Sequence, residues 1–334
     1  MLVVFQRKII YMGYCPPGAR AEDLKRDVPP QHLKGLRCEE ISVPSTDSVM
    51  LSGIVVSRVD ASEPPKAVIV YFQGNAGNPL HRLPVFHRLL HHPYSPSTEA
   101  DQLAIVSVAP RSYWKSTRRR PTERGILMDY LYTLRYTLDR FPSAKVIFYG
   151  HSLGGAAAVC LSSQLYVTPL QISDWAHEQN LFVDARYAKI QGLVLENPFV
   201  SIPEMVRALY PERWVPYRYL APLAFDKWDA LAAMRRLYAE RHSNEGSDSQ
   251  NATVLKRVAR DMLMLLSEKD EVVPCEMGTS LFDLSERGRG ATAGGLGRKV
   301  IIKDALHENA WQQRQWSKEM GLYARQVLRR EGME

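Results

Sequence analysis

The feature that most limits the fold is a series of short, uninterrupted apolar runs. Ala67–Phe72 (AVIVYF), Leu103–Val108 and Lys145–Tyr149 (KVIFY) are such runs, and Gln191–Leu195, Met262–Leu266 and Lys299–Ile302 read the same way. A strand with one wet face alternates apolar and polar residues, whereas a continuous run is what a strand covered on both faces requires. Helical patterns lie between the runs. Leu83–Leu90 follows the first, Gly154–Tyr166 follows KVIFY, and Trp311–Leu328 closes the chain. Thr122–Arg140 carries Ile126, Leu127, Tyr130, Leu131, Leu134 and Leu138 at helical spacing. Pro121 and Thr122 suit its start, and Pro142 lies just beyond its end. Strands alternating with helices predict an α/β fold with a mostly parallel central sheet and helices on both faces. Glu40–Val43 and Val49–Val56, around a turn at Ser45–Ser48, predict an opening hairpin. Residues 1–38 are rich in Pro, Arg and Lys and predict an amino-terminal arm ahead of a main domain over 39–334.

Charge and cysteine content narrow the function classes. The chain carries 43 basic and 36 acidic residues, a net charge of +7. Part of the excess is one run, Lys115, Arg118, Arg119, Arg120 and Arg124. It reads either as a solvated loop or as a contact for anionic headgroups or an acidic substrate. Without a recognition module or a basic face, nucleic acid is not an expected partner. Cys15, Cys38, Cys160 and Cys275 lie far apart and form no CxxC pair, so neither zinc nor a disulfide framework is indicated. The opening apolar stretch, Met1–Phe5, is too short for a signal-peptide core or a membrane span. The chain as given therefore reads as soluble or peripheral, with cytoplasmic and membrane-associated placements both open. His91–Gln102, Glu240–Thr253 and Ser285–Arg298 look inserted, the second as a mobile loop. The Gly- and Arg-rich third does not match a phosphate loop, because no G-x-G-x-x-G opens a helix and no G-K-[ST] follows.

The chemistry centres on Gly150-His151-Ser152-Leu153-Gly154. This G-x-S-x-G follows a buried strand directly and leads into a small-residue helix, the setting of a nucleophile elbow. The turn strains the serine backbone and crowds its flanks, so Gly150 and Gly154 remove side chains that would collide. The alternative is an ordinary strand-to-helix turn containing a serine. A serine hydroxyl needs a base held by an acid, in the chain order Ser, Asp or Glu, His. Asp270 lies in the loop after Met262–Leu266, with Glu268 and Glu271 beside it, and Glu196 is a less favoured alternative acid. Of nine histidines, His307 alone lies beyond the last strand. His151, inside the elbow, is expected to orient the turn. One oxyanion donor is the backbone N–H of Leu153. The other is expected from the loop Gln73–Asn78, where Gln73 and Gly74 shape the approach and the N–H of Asn75 is the candidate. The chemistry requires no metal and no cofactor.

Further stretches carry a family resemblance. They are FQRKIIY (5–11) with Pro16-Pro17, YFQGNAGN (71–78), LENPFVSI (195–202), Lys269-Asp270 with Val273-Pro274, and HENAW (307–311). With the elbow they resemble the bud-emergence-type branch of the α/β-hydrolases, which includes fungal polarity-associated proteins and animal ABHD-type serine hydrolases. The resemblance runs over nearly the whole chain and implies the α/β-hydrolase fold with a small helical cap, about 200–255. It also implies Ser152 as nucleophile, Asp270 as acid and His307 as base. Two departures stand out. Gln73 replaces the usual histidine of an H-G-N-A-G-N loop. Arg111-Ser-Tyr-Trp-Lys-Ser116 replaces an R-G-Y-G-x-S turn, so two glycines are lost and the rim of the site is expected to change. The resemblance implies membrane association for relatives through an amino-terminal anchor that would end near where this sequence starts, so the expectation is either a soluble protein or a truncated form.

Tyr210, Trp214, Tyr217, Tyr219, Phe225 and Trp228 fall in the cap segment. They suit an acyl chain, or they simply pack the cap. The expected activity is hydrolysis of carboxylic esters or thioesters by a carboxylesterase- or acyl-thioesterase-type enzyme. Its substrate would be a small or lipid-like ester or an acylated protein, with peripheral membrane contact. The alternatives are a serine peptidase of the same fold and a non-catalytic polarity or membrane scaffold.

Overall fold

Five of the apolar runs of the sequence become inner strands of one eight-stranded sheet, while Lys299–Ile302, expected to be covered on both faces, falls in the strand at its edge, where Ile301 is exposed. The computed structural model describes residues 2–61, 64–91, 102–167, 181–210, 212, 216–243, 252–287 and 296–330. The strands are β1 (Leu36–Pro44), β2 (Met50–Arg58), β3 (Ala67–Phe72), β4 (Leu103–Val108), β5 (Lys145–His151), β6 (Ile190–Glu196), β7 (Leu263–Ser267) and β8 (Arg298–Ile302). Their spatial order is β1-β2-β4-β3-β5-β6-β7-β8. The β1–β2 and β2–β4 pairs are antiparallel and every later pair is parallel. β3 and β4 are buried at every position, as continuous apolar runs demand. β3 and β4 have the expected bounds, while β7 starts and ends one residue later than expected.

The helices are α1 (Leu2–Ile10), α2 (Pro30–Leu33), α3 (Leu83–Leu90), α4 (Glu123–Arg140), α5 (Leu153–Ser162), α6 (Ile202–Leu209), α7 (Ala230–Ser243), α8 (Val254–Val258), α9 (Cys275–Arg287) and α10 (Arg314–Arg329). α4, α5, α7 and α9 pack in series, and α3 packs on α10, so the sheet is covered on both sides. Thr122 caps α4 by accepting from the Gly125 N–H at 3.0 Å, which satisfies a helix-start donor that has no intrahelical partner. α5 stops at Ser162, short of Tyr166. Tyr166 instead forms bridges to Val183 and Thr253, which an extended backbone permits and a helix does not.

The first 38 residues are more ordered than the composition implies. α1 lies on the segment that follows β6, where Arg7 Nε donates to Asp226 Oδ2 at 2.6 Å. The chain then runs along the loop after β3. Met12 N donates to the Asn75 carbonyl at 2.7 Å, and Gly77 N donates to the Cys15 carbonyl at 2.7 Å. β1 begins at Leu36, opposite Arg58, so the sheet reaches back into the arm. Of the inserted stretches, 92–101, 244–251 and 288–295 lie outside the described residues. Residues 240–243 belong to α7 rather than to a loop.

Candidate active site

Parallel strands place their carboxyl ends at one edge of the sheet, where open α/β sheets bind ligands. Here β3 leads to Gln73–Asn78, β5 to Ser152, β6 to Asn197, β7 to Asp270 and β8 to His307. Ser152 sits between β5 and α5 at φ 54°, ψ −119°, a left-handed backbone that a non-glycine residue rarely adopts. Its N–H donates to the Glu196 carbonyl at 2.9 Å, which locks the turn to the neighbouring strand. Space explains the flanking glycines. A Cβ on Gly154 would lie 2.0 Å from the Phe72 carbonyl oxygen, and one on Gly150 would lie 2.4 Å from that of Gly154. Leu153 opens α5, so its N–H is among the first helix donors that have no intrahelical acceptor.

Asp270 and His307 come together across two loops. His307 Nδ1 lies 2.8 Å from Asp270 Oδ2, with 5% and 2% of the two side chains exposed. The other carboxylate oxygen accepts from Val272 N at 2.9 Å and Val273 N at 2.7 Å, which fixes the Asp270 rotamer. Glu271 is a support, accepting from His307 N at 3.0 Å. Glu268 accepts from Asp304 N, where the chain turns at φ 55°. Glu196 does not reach the imidazole. Its buried carboxylate accepts from Tyr149 Oη and from Trp316 Nε1, and burial raises its pKa.

The loop after β3 lies against the serine. A Cβ on Gly74 would be 3.8 Å from Ser152 Cβ. Gln73 spends its backbone N–H on Tyr130 Oη at 3.0 Å and its side-chain amide on the Gly77 carbonyl at 3.1 Å. The Asn75 carbonyl accepts from Met12 N and from Tyr113 Oη (2.9 Å), so that peptide is held from two sides. The turn expected to change shape does not lose its glycine-like backbone. Ser112 and Trp114 stand where the family pattern has glycine, and they take φ 69° and 39°.

His151 is buried beside His307, with ring centroids 4.9 Å apart. Its Nδ1 lies 2.8 Å from Arg82 Nη2 and its Nε2 lies 3.0 Å from the His307 carbonyl. Burial and then the Arg82 charge lower its pKa to about 3, so the ring is neutral near pH 7. His151, His307 and Glu308 offer donor atoms within 4.8 Å of one another. A cation is already there: Arg82 also pairs with Glu308 at 2.8 Å. Sequence reasoning passed over Arg82, Asn197, Tyr113 and Met12. Asn197 and Tyr113 stood inside quoted motifs, but nothing local signalled what they touch.

The outer face is mixed. Trp228 is fully buried and donates to Tyr11 Oη, whereas Tyr219 and Phe225 are exposed. Trp214 lies outside the described residues, and Tyr217 is described for its backbone alone. Lys115 is tied to Asp23 and Glu40, while Arg118, Arg119, Arg120 and Arg124 are exposed. Among the described residues no helix is long and apolar enough to cross a membrane.

No protein-family model matches the chain. Protein bem46 of Schizosaccharomyces pombe is 25% identical over 285 residues, covering 85% of this chain and 76% of bem46. The lysophosphatidylserine lipase ABHD12 of Danio rerio is 27% identical over 224 residues. That match covers 66% of this chain, which spans about half (48%) of the zebrafish protein. Among solved structures, the Pyrococcus furiosus esterase Pf2001 superposes with a TM-score of 0.58 at 13% identity, over 90% of this chain and 96% of the esterase. The strand order is that of the α/β-hydrolase fold, and in sequence the chain is similar to ABHD-type α/β-hydrolases.

Proposed function

We propose that this member of a hydrolase superfamily is a serine hydrolase that cleaves carboxylic ester or thioester bonds through Ser152, His307 and Asp270. The observation that carries the reading is the His307 Nδ1–Asp270 Oδ2 contact at 2.8 Å, almost fully enclosed, with the His307 ring packed on His151, the residue before the strained elbow serine. With Nδ1 bonded to the carboxylate, Nε2 is the nitrogen that takes the Ser152 proton as Oγ attacks the carbonyl carbon. Asp270 stabilises the imidazolium that forms. The oxyanion is met by the N–H groups of Leu153 and Asn75, each worth about 3 kcal/mol in the transition state. Collapse passes the proton from His307 to the leaving alcohol or thiol and leaves an acyl-enzyme. Water then gives its proton to His307 and attacks the acyl carbon, and as the Oγ–acyl bond breaks His307 returns that proton to Ser152 Oγ and the acid leaves.

The described residues of 202–228 are the cap, over an apolar acyl group, whereas α7 packs on α5 and α9 among the sheet-covering helices and is not part of it. The name of the ABHD12 relatives supports a lipid-like ester, and an acylated protein would offer the same carbonyl chemistry. Contact with a lipid surface falls on the face shared by α1 and the cap. Ile9, Tyr14, Leu223 and Phe225 are exposed there, and Gln6 bonds α1 to Phe225 N at 2.8 Å. Vesicles containing anionic lipid are expected to sediment the protein and Phe225→Glu to weaken this; equal retention by neutral vesicles, or none, removes the electrostatic part of the contact.

Fluorophosphonate labelling tests the core proposal. Wild type is expected to label, and Ser152→Ala and His307→Ala to abolish it. A folded wild type that stays unlabelled overturns the enzyme reading and favours a scaffold.

A further inference from the structure

Arg82 and His151 form a bridge behind the proposed nucleophile, and its polarity follows from donor chemistry. A guanidinium has only donors. Arg82 Nη2, 2.8 Å from His151 Nδ1, therefore makes Nδ1 the acceptor, so the ring proton sits on Nε2. That Nε2 is 3.0 Å from the carbonyl oxygen of His307 and donates to it. Asn197 Nδ2 donates to the same oxygen at 3.0 Å. The ring is 1% exposed and water does not compete for either nitrogen. Arg82 ends the short 3-10 turn Pro79–Arg82, whose first residues are capped by the Asn78 side chain. One chain of bonds thus joins the exit of the Gln73–Asn78 loop, the residue before Ser152 and the backbone of His307.

We infer that Arg82 and His151 are positioning residues: Arg82 holds His151 in its Nε2–H tautomer, and that N–H fixes the main chain of His307 relative to Ser152. The inference rests on the serine-hydrolase reading above. Neither residue touches substrate. An unanchored His307 loop would move the base from the serine hydroxyl, and a displacement of about 1 Å is worth about 100-fold in rate.

The two amide side chains separate the two bonds. The glutamine amide nitrogen reaches the place of Nε2, and that of asparagine reaches the place of Nδ1. His151→Asn, which leaves the His307 carbonyl without this donor, is expected to lower kcat and the labelling rate about 100-fold with KM little changed. His151→Gln is expected to recover most of that loss, within about 10-fold of wild type. Arg82→Met is expected to slow wild type but to add nothing in the His151→Gln background, because no tautomer remains to be set. Equal rates for the asparagine and glutamine variants, or an Arg82→Met cost that persists beside His151→Gln, overturn the inference. Ser152→Ala distinguishes the two failures. If it labels like wild type, the serine reading falls and this one with it. If it does not label, such results sink the positioning role alone.

Discussion

Two tight turns flank the Gln73–Asn78 loop, and they solve the same backbone problem differently. The elbow puts glycine at 150 and 154, while the turn at 111–116 puts serine and tryptophan at positions with left-handed φ. At the elbow the constraint is space. Cβ atoms there would meet backbone oxygens at 2.4 and 2.0 Å, and main chain on two strands and a helix cannot retreat. At the other turn the constraint is conformational alone, on the order of 1–2 kcal/mol per residue. Bonds and burial offset it there. Trp114 is fully buried and donates to the Glu22 carbonyl at 2.9 Å, and Ser112 Oγ donates to the Arg119 carbonyl at 2.7 Å. Arg111 anchors the turn from below on Asp129 at 2.8 Å, both side chains buried. Glycine is thus required where a neighbour occupies the Cβ position and replaceable where the cost is a dihedral angle.

The largest effect that could break this contrast is at the elbow. Gly154→Ala is expected to cost about 3 kcal/mol or more and to abolish fluorophosphonate labelling, read from urea midpoints and gel fluorescence. A variant with wild-type stability and labelling would show that the elbow has slack. The next effect is pH-dependent. An unfolded histidine takes up a proton near pH 6.5, whereas His151 stays neutral down to about pH 3. Its contribution to stability is full above about pH 6.5 and is lost as the pH falls toward 3. Between pH 7 and 5 wild type is expected to lose on the order of 2 kcal/mol more than His151→Gln. Parallel stability curves for the two proteins would contradict a neutral buried ring. The smallest effect isolates the backbone term in the second turn. Ser112→Ala loses the hydroxyl bond and keeps the strain, while Ser112→Gly loses both. The glycine variant is expected to be the more stable of the two by about 1 kcal/mol. An alanine variant as stable as the glycine one would mean that φ 69° carries no cost here.

The same contrast marks what a reader of the sequence could see. The departure from R-G-Y-G-x-S was visible, and it suggested an altered rim. In the structure Ser112 and Trp114 take positive φ at the two positions, Tyr113 Oη bonds the Asn75 carbonyl and Trp114 is buried. Steric need was legible in the motif itself, and at Gly150 the contact lies within the local strand–turn–helix geometry, whereas at Gly154 it comes from Phe72 on the neighbouring strand. The amino-terminal stretch read only as an arm rich in Pro, Arg and Lys, and its contacts were not legible: Met12 and Cys15 bond the Gln73–Asn78 loop and Arg7 pairs with Asp226. Those partners are far away in sequence, so composition carries no trace of them.

From the sequence alone came the strand order of the chemistry: a serine after KVIFY, an acid after the next-to-last strand, a histidine after the last. Burial on both faces writes itself into continuous apolar runs, and a turn that admits no Cβ writes itself into glycine. Which carboxylate faces His307, what the two nitrogens of His151 touch, and where Arg82 lies were settled by folding. Asp270 and Glu196 are both acids after buried strands; the sequence favoured Asp270, but no local pattern shows which carboxylate reaches the imidazole. Packing does: it places Asp270 Oδ2 2.8 Å from the imidazole and leaves Glu196 to Tyr149 and Trp316. Contacts across the sheet depend on how the strand ends converge, and that convergence exists only once the core has closed.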